Sequence, residues 1–184
     1  MNTHRPLTAI RRLQRGVTMI ESLIVLTIAT VSLGAALPSF EQARQRRHFD
    51  GIAAQLETDI FLARSEAVTR NRSMRISFKA DDDGSCYVVH SGPADACSCS
   101  ADGAARCEPG QFAVRSVRLA AAGAVQLQSN VPSILFDAVR GTSTPTGTIR
   151  LVGQDRRAVH VVVNIMGRVR SCSPGGSVPG YKVC

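Results

Sequence analysis

The sequence has little charge, one long apolar run and no internal repeat. Charged residues make up 20% and hydrophobic residues 44% of its 184 residues, a balance that excludes wholesale disorder. Only residues 17–37 are apolar and long enough to cross a bilayer, which excludes a polytopic membrane protein. The length suits one domain of ordinary size.

Histidine is scarce, and no catalytic motif is present. Of the four histidines, His48, His90 and His160 follow residue 16, and none belongs to a nucleophile, metal or phosphate-loop motif. His160 alternates with valines in a strand pattern, which favours a structural role. The sequence therefore predicts neither an enzyme nor a cofactor site.

Cysteine is absent from the first 85 residues, and six cysteines follow. An even number in loop-like sequence favours disulfides in an oxidising compartment over cytosolic thiols. The pairing of the first four is open, and zinc ligation by them is disfavoured because their spacing matches no common zinc pattern. These four are Cys86, Cys97, Cys99 and Cys107. Cys172 and Cys184 are the favoured pair, because a flexible Pro/Gly-rich segment lies between them.

Asp81, Asp82 and Asp83 precede Gly84, an arrangement that could suggest calcium. Adjacent carboxylates lack the alternate spacing of an EF-hand loop, so a hairpin turn is favoured. The sequence thus predicts no metal site.

The first 16 residues contain four arginines and no acidic residue. They precede residues 17–37, which would form a helix about 31 Å long with Glu21 as its only ionisable side chain. The arginines would keep this end in the cytoplasm, and the cysteines place the C-terminal part outside. A secretory signal is cut after its apolar segment, whereas here the small residue Gly16 precedes it.

The segment RGVTMIE, from Arg15 to Glu21, resembles the processing site of type IV prepilins. In that family a glycine precedes a residue that is usually phenylalanine, here Val17, and a short apolar run then reaches a glutamate. The resemblance implies cleavage after Gly16 by prepilin peptidase and methylation of the Val17 amine. It also implies that Glu21 meets the N-terminal amine of a neighbouring subunit in a filament. The predicted segments are a leader 1–16, a transmembrane and filament-core helix 17–38, and a globular domain 39–184.

Beyond Pro38 the apolar period is helical, and it changes to two after Asn71. The helical stripe consists of Phe49, Ile52, Ala53, Leu56, Ile60, Ala63 and Ala67. Strands are predicted at 74–79, 86–90, 112–119, 124–128, 133–137, 147–152 and 158–165. This order indicates an α+β fold in which a long N-terminal α-helix packs on antiparallel β-sheets.

Positive charge is concentrated near the C terminus. Residues 44–139 carry equal numbers of basic and acidic residues, whereas in 140–184 Asp155 is the only acidic residue. The basic residues there are Arg140, Arg150, Arg156, Arg157, Arg168, Arg170 and Lys182. Such asymmetry is typical of a phosphate-binding surface. Near the membrane exit, 44–48 is also basic and either contacts inner-membrane lipid or forms a solvated helix face.

Gly167-Arg168-Val169-Arg170 directly follows the last predicted strand. Residues two apart in an extended backbone share a face, so both guanidinium groups would point the same way about 6.6 Å apart. Gly167 would allow a turn or a close approach of the backbone to a ligand. The two arginines therefore form a candidate phosphate-binding pair. The alternative is two solvated arginines on an edge strand that oppose aggregation.

The C-terminal half resembles the GspH/FimT family of pseudopilins and minor pilins. The residues that carry the resemblance are Phe136–Gly141, Gly147–Leu151, the valine-rich strand and Gly167–Arg170 followed by Cys172. The resemblance implies a pilin-like fold and DNA contacts by Arg168 and Arg170. From the basic region we add Gly167, Lys182, Arg156 and Arg157 as candidate DNA-binding residues.

Together these features predict a minor type IV pilin that binds double-stranded DNA and aids its uptake in natural transformation. No base-reading element is evident, so binding should be independent of sequence. The protein would be held in the bacterial inner membrane with its C-terminal domain in the periplasm, and would join other major and minor pilins in a cell-surface pilus. The alternative is a structural minor pilin or type II secretion pseudopilin that primes filament assembly without binding DNA.

Overall fold

The computed structural model describes residues 17–153 and 157–184, with the backbone alone at 36–38 and 42. The described ranges contain one α-helix, α1, at Met19–Thr69, and twelve β-strands. The strands are β1 Met74–Asp81, β2 Gly84–Ser91, β3 Cys97–Cys99, β4 Ala105–Cys107, β5 Ala113–Ala120, β6 Val125–Ser129, β7 Ser133–Phe136, β8 Ser143–Thr144, β9 Gly147–Gly153, β10 Ala158–Val163, β11 Val169–Ser173 and β12 Lys182–Val183.

The described residues form two compact units, one that ends at Arg44 and one at Gln45–Cys184. The first unit is the N-terminal part of α1, whose large apolar side chains are exposed and which is long and apolar enough to cross a membrane. The Glu21 backbone N–H donates a hydrogen bond to Thr18 Oγ1 (3.3 Å), the contact of a helix N-cap. The predicted leader 1–16, including Gly16, lies outside the described residues.

Two five-stranded sheets and one hairpin make up the β-structure of the second unit. The first sheet has the order β5-β2-β1-β7-β8 and the second the order β12-β11-β10-β9-β6, while β3 pairs with β4. Neighbouring strands are antiparallel, except that β12 lies parallel to β11. The predicted α+β fold, a long helix packed on antiparallel sheets, is confirmed; the one parallel pair was not predicted.

One stripe of α1 packs against both sheets. Its fully buried residues recur at intervals of three or four, as the sequence pattern predicts. They are Ala53, Leu56, Ile60, Ala63 and Ala67, with Phe49 at the start of the stripe. Apolar residues that alternate along the strands meet this stripe, among them Ile76 and Phe136 of the first sheet and Leu151 and Val161 of the second. The described core runs from Phe49 to Val178, so residues 45–184 contain it whole.

A lobe formed by β3, β4 and their loops covers the outer face of the first sheet. Disulfide Cys86–Cys99 ties the lobe to β2, and Cys97–Cys107 joins β3 to β4 within it; this is the pairing that the sequence left open. Beneath it, Val88 and His90 of β2 are buried although they point away from the core. The first sheet is therefore covered on both faces.

The strand predicted at 158–165 is two residues too long. β10 ends at Val163, and the Asn164 side chain redirects the backbone: its Oδ1 accepts hydrogen bonds from the N–H groups of Met166 (3.1 Å) and Arg168 (2.9 Å). Asparagine commonly makes such turns. The chain then reverses into β11, so Arg168 and Arg170 lie at the start of a hairpin strand.

Candidate nucleic-acid interface

The Gly167–Arg170 segment lies at the turn between β10 and β11. The Asn164 N–H donates to the Arg168 carbonyl (3.1 Å), and the Gly167 N–H donates to the Asn164 carbonyl (2.8 Å). Gly167 is buried and has φ +68°, a left-handed conformation that favours glycine. The role of Gly167 in the structure is to form this turn.

Arg168 and Arg170 are exposed, and Val169 between them is half-buried against the core. Arg170 lies opposite Val162 of β10, and Val169 lies opposite Val163. The arginines thus share the face of the second sheet that points away from the core. β12 pairs only with Cys172 and Ser173, so in the described residues no strand lies beside Arg170 on its other side.

The strand register brings two further basic residues to this outer face. Arg150 of β9 lies opposite His160 of β10, His160 lies opposite Cys172 of β11, and Cys172 lies beside Lys182 of β12. Arg150 and Lys182 are both exposed. We call Arg150, Arg168, Arg170 and Lys182 the outer basic face.

The distances across this face follow from sheet geometry. Arg150 lies two strands from Arg170 and two residues along, so their backbones are about 12 Å apart. Arg168 and Arg170 are about 6.6 Å apart along one strand. Four positive side chains are therefore spread across the outer face of one sheet.

Within the described ranges, no aspartate or glutamate is paired with the outer basic face. The five strands of the second sheet contain no aspartate or glutamate. In the part of the chain that the structure describes, ion pairs such as Arg115–Asp59 and Arg118–Asp81 lie elsewhere, and none includes a residue of this face. The face is thus electropositive and open to an anionic partner.

His160 lies in the middle of the outer face. It is half-buried, and its Nδ1 lies 3.8 Å from the Sγ of Cys184. Burial lowers the pKa of His160, and the positive charge of Arg150 lowers the pKa further. The lowered pKa favours the neutral imidazole, so the charge of the face comes chiefly from its arginines and lysine.

The C-terminal disulfide positions Lys182. Cys172 is paired with Cys184, and the Cys184 N–H donates to the Ser173 carbonyl (3.3 Å). Because β12 has only two residues, it would not be stable without this link. The disulfide therefore holds Lys182 beside β11.

The remaining predicted residues are placed differently. Arg157 is half-buried, and its carbonyl accepts the Gly153 N–H (2.8 Å) at the hairpin between β9 and β10. Arg156 lies outside the described residues. Sequence reasoning did not assign Arg150 to the site, although its place between Ile149 and Leu151 in a period-two pattern indicates an outward side chain. Its nearness to Arg170 depends on strand order.

Of the basic residues near the membrane exit, Arg46 is engaged by the protein itself. Its Nη2 donates to the Pro179 carbonyl (3.1 Å), and its Nε lies 4.0 Å from the carboxylate of Asp50. Arg44, Arg47 and His48 are exposed. Lipid contact by these exposed residues stays a prediction.

The described residues were predicted to hold no metal site. Within 17–153 and 157–184, no three His, Cys, Asp or Glu side chains are grouped as a metal site would require. All six cysteines are in disulfides.

Comparison with known families gives two matches. Residues 53–167, more than half of the chain, match the family described as type II transport protein GspH. Residues 11–37 match the prokaryotic N-terminal methylation motif. No curated protein matches the sequence.

Solved structures with a similar fold include the type IV minor pilin FimU of Pseudomonas aeruginosa. One crystal form of FimU has a TM-score of 0.51 and 19% identity over 74% of this chain and 96% of FimU. The minor pseudopilin EpsH of the Vibrio cholerae type 2 secretion system has a TM-score of 0.42 and 16% identity over 68% of this chain and 97% of EpsH. At such identity, the similarity to FimU concerns the fold alone.

Proposed function

Because the chain belongs to the family of the type II transport protein GspH, we propose that it is a minor type IV pilin that binds double-stranded DNA without sequence preference and aids DNA uptake in natural transformation. Family membership and the methylation motif make it a subunit of the minor pilin and pseudopilin type, with other pilins and prepilin peptidase as partners. DNA binding and a role in transformation go beyond what family membership implies, and they are the content of the proposal.

The outer basic face is the observation that carries this proposal. Exposed guanidinium groups without carboxylate neighbours bind phosphates well, because each can donate several hydrogen bonds to one anion. Arg168 and Arg170 would contact one DNA strand, and Arg150 would reach a phosphate farther across the duplex. In its described residues the face lies on a sheet and carries no helix that would enter a groove, so contacts to the DNA backbone would dominate.

The location of the domain is part of the same proposal. Three disulfides support an oxidising compartment, so the second unit would lie in the periplasm and, after assembly, on the cell surface. The apolar N-terminal part of α1 fits an anchor in the inner membrane. This arrangement would expose the outer basic face to extracellular DNA.

Binding of duplex DNA by a soluble fragment 45–184 tests the proposal. This fragment contains the whole described core and all three disulfides, so we expect it to fold without the apolar segment. Fluorescence anisotropy over a salt series should show sequence-independent binding, with log affinity falling by about 3 to 4 per unit of log salt if all four residues contact phosphate. A folded fragment that does not bind DNA at physiological salt would overturn it.

A purely structural role in filament assembly is the second candidate. Phe61 and Val68 of α1 are about half exposed, and Val139 is 79% exposed, so apolar side chains are available for a neighbouring subunit. Under this alternative, Phe61→Asn would reduce the number of filaments, whereas Arg168→Gln would leave both filament number and DNA uptake unchanged. Reduced DNA uptake by Arg168→Gln with normal filament number would instead favour the DNA-binding proposal.

A further inference from the structure

One side chain of α1, Arg64, reaches the hairpin that carries Arg168. Its Nε donates a hydrogen bond to the carbonyl of Gly141 (2.9 Å), in the loop between β7 and β8. Gly167, in the turn between β10 and β11, packs on the same two groups: a Cβ there would lie 2.6 Å from the Gly141 carbonyl oxygen and 3.1 Å from Arg64 Cδ. The helix, the loop and the turn therefore meet with no room for a side chain at Gly167.

β8, which follows this loop directly, is joined to the turn by hydrogen bonds. The Ser143 N–H donates to the Ile165 carbonyl (2.9 Å), and Ser143 Oγ donates to the Asn164 carbonyl (2.6 Å). Asn164 in turn accepts the N–H of Arg168 through its side chain. The position of the Arg168 backbone thus depends on the loop that Arg64 holds.

The Gly141 carbonyl is presented by an ordered loop. Asp137 Oδ1 accepts hydrogen bonds from the N–H groups of Arg140 (2.8 Å) and Val139 (3.0 Å), and the Asp137 carbonyl accepts the Gly141 N–H (3.0 Å). These bonds, that of Arg140 first, lower the pKa of the Asp137 carboxyl. The carbonyl that Arg64 contacts is therefore held in one orientation.

We propose that Arg64 is a positioning residue for DNA binding: it holds the Gly141 carbonyl against Gly167 and so fixes Arg168 on the outer basic face. The inference rests on the proposed function and adds to it a residue from α1, outside the basic C-terminal region. A fixed Arg168 loses less conformational freedom when it contacts a phosphate, and the affinity is correspondingly higher. Arg64 acts on DNA through Arg168, without touching it.

A double-mutant cycle tests this, with the full chain in neutral detergent and duplex DNA as the probe. Arg64→Met keeps the length of the side chain and removes the donor. In the parent it should weaken binding roughly tenfold, within the coupling range of residues that share a hydrogen-bond network. The loss should nearly vanish in an Arg168→Gln background and persist in an Arg150→Gln background. An equal loss in both backgrounds, or no loss in the parent, would overturn the proposal.

Amide hydrogen exchange gives a second readout that needs no DNA. Arg64→Met should speed exchange at Gly167 and Arg168, whose N–H groups bond to Asn164, and leave unchanged that of Ala121, whose N–H donates to the Asp83 carbonyl in a distant turn. Unchanged exchange at Gly167 and Arg168 would overturn the positioning role. If the parent chain does not bind DNA, the proposed function fails together with the DNA-related part of this inference, and exchange still decides whether Arg64 positions the turn.

Discussion

The arginines of this chain differ in what surrounds them. Arg70 pairs with Glu66 and Arg118 with Asp81, so their charge is locally balanced. Arg168 and Arg170 are exposed on a sheet without carboxylates, and their charge is available to a partner. For these arginines, the charge of the neighbouring side chains therefore indicates function better than the residue type does.

Arg168→Gln and Arg170→Gln should each weaken DNA binding about equally for all sequences. Each phosphate contact displaces condensed counterions, so each variant should flatten the slope of log affinity against log salt by about 0.9. Both side chains are exposed, so the melting temperature should change little. Anisotropy titrations over a salt series and thermal melts measure the two effects.

The matched control is Arg106→Gln. Arg106 is an exposed arginine on β4, in the disulfide-bonded lobe outside the second sheet. Arg64 does not serve as a control, although it lies in the charge-balanced part of the sequence, because it contacts Gly141 beside the site. An equal loss of affinity in Arg106→Gln would mean that the charge acts diffusely.

The stability of the domain should fall in mild acid because of His90. This side chain is fully buried, its Nε2 lies 2.8 Å from Ser77 Oγ, and burial lowers its pKa. In the unfolded chain a histidine titrates near its ordinary pKa of about 6.5. Below that pH the unfolded chain binds a proton that the folded domain does not, so the free energy of unfolding falls by up to about 1.4 kcal/mol per pH unit.

Urea unfolding of fragment 45–184 at pH 7 and pH 5 measures this dependence. His90→Gln should be less stable than the parent at pH 7 but should lose less stability between the two pH values. His48→Gln is the control at an exposed histidine. The same pH dependence in His90→Gln and in the parent would show that other groups cause it.

Among the elements, β12 and the disulfide lobe show that short strands can depend on covalent links. β12 has two residues and the β3–β4 hairpin has three in each strand, too few to be stable by themselves. Each of these two elements is held by a disulfide, and the two elements have different roles. The lobe covers the first sheet, whereas Cys172–Cys184 places Lys182 on the second.

Removing the C-terminal disulfide with Cys172→Ser/Cys184→Ser should have two effects. The free energy of unfolding should fall by about 3 kcal/mol, because the unfolded chain is no longer constrained. The salt slope of DNA binding should flatten by up to about 0.9, because Lys182 leaves the outer basic face. Urea unfolding measures the change in stability, and anisotropy titration measures the change in salt slope.

Cys97→Ser/Cys107→Ser is the control. It should lower stability comparably, and a flattened salt slope in this variant would contradict the assignment of Lys182.

At the scale of the whole molecule, α1 belongs to both units. Its N-terminal part exposes apolar side chains such as Ile24 and Leu33, whereas the stripe from Phe49 to Ala67 is buried in the domain core. An apolar helix with no core of its own needs a membrane or other helices around it.

Processing should depend on Gly16. If prepilin peptidase cleaves after this residue, Gly16→Leu should leave an unprocessed precursor in the membrane, because a bulky side chain blocks the cleavage site. Immunoblots of membrane and sheared pilus fractions distinguish the two forms. Normal incorporation of Gly16→Leu into filaments would show that the chain is not processed as a prepilin.

Filament assembly should depend on Glu21, which lies in the first turn of α1. A carboxylate in an apolar helix is costly unless it is paired, and the N-terminal amine of a neighbouring subunit would supply that partner. Glu21→Ala should therefore be inserted and cleaved normally but enter filaments less efficiently than the parent. Glu41→Ala, on the same helix but outside the apolar run, is the control. Equal assembly of Glu21→Ala and the parent would make the glutamate incidental.

Local periodicity in the sequence is sufficient to predict several structural features of this protein. The helical stripe from Phe49 to Ala67 and the outward direction of Arg168 and Arg170 both follow from how side chains repeat along a helix or strand. The resemblance to type IV prepilins likewise rests on one short segment, Arg15–Glu21. Such properties depend on neighbours in sequence, so they can be predicted from the amino acids alone.

The tertiary structure decided what lies beside each of these segments. Strand order places Arg150 and Lys182 on one face with Arg170. The path of the backbone determines how the four middle cysteines pair, and packing brings Arg64 to Gly141. The turn at Asn164 also shortened a predicted strand, because a side-chain hydrogen bond outweighed β-propensity there. These contacts join residues far apart in sequence, and their formation depends on the simultaneous packing of the helix and both sheets, which no local pattern encodes.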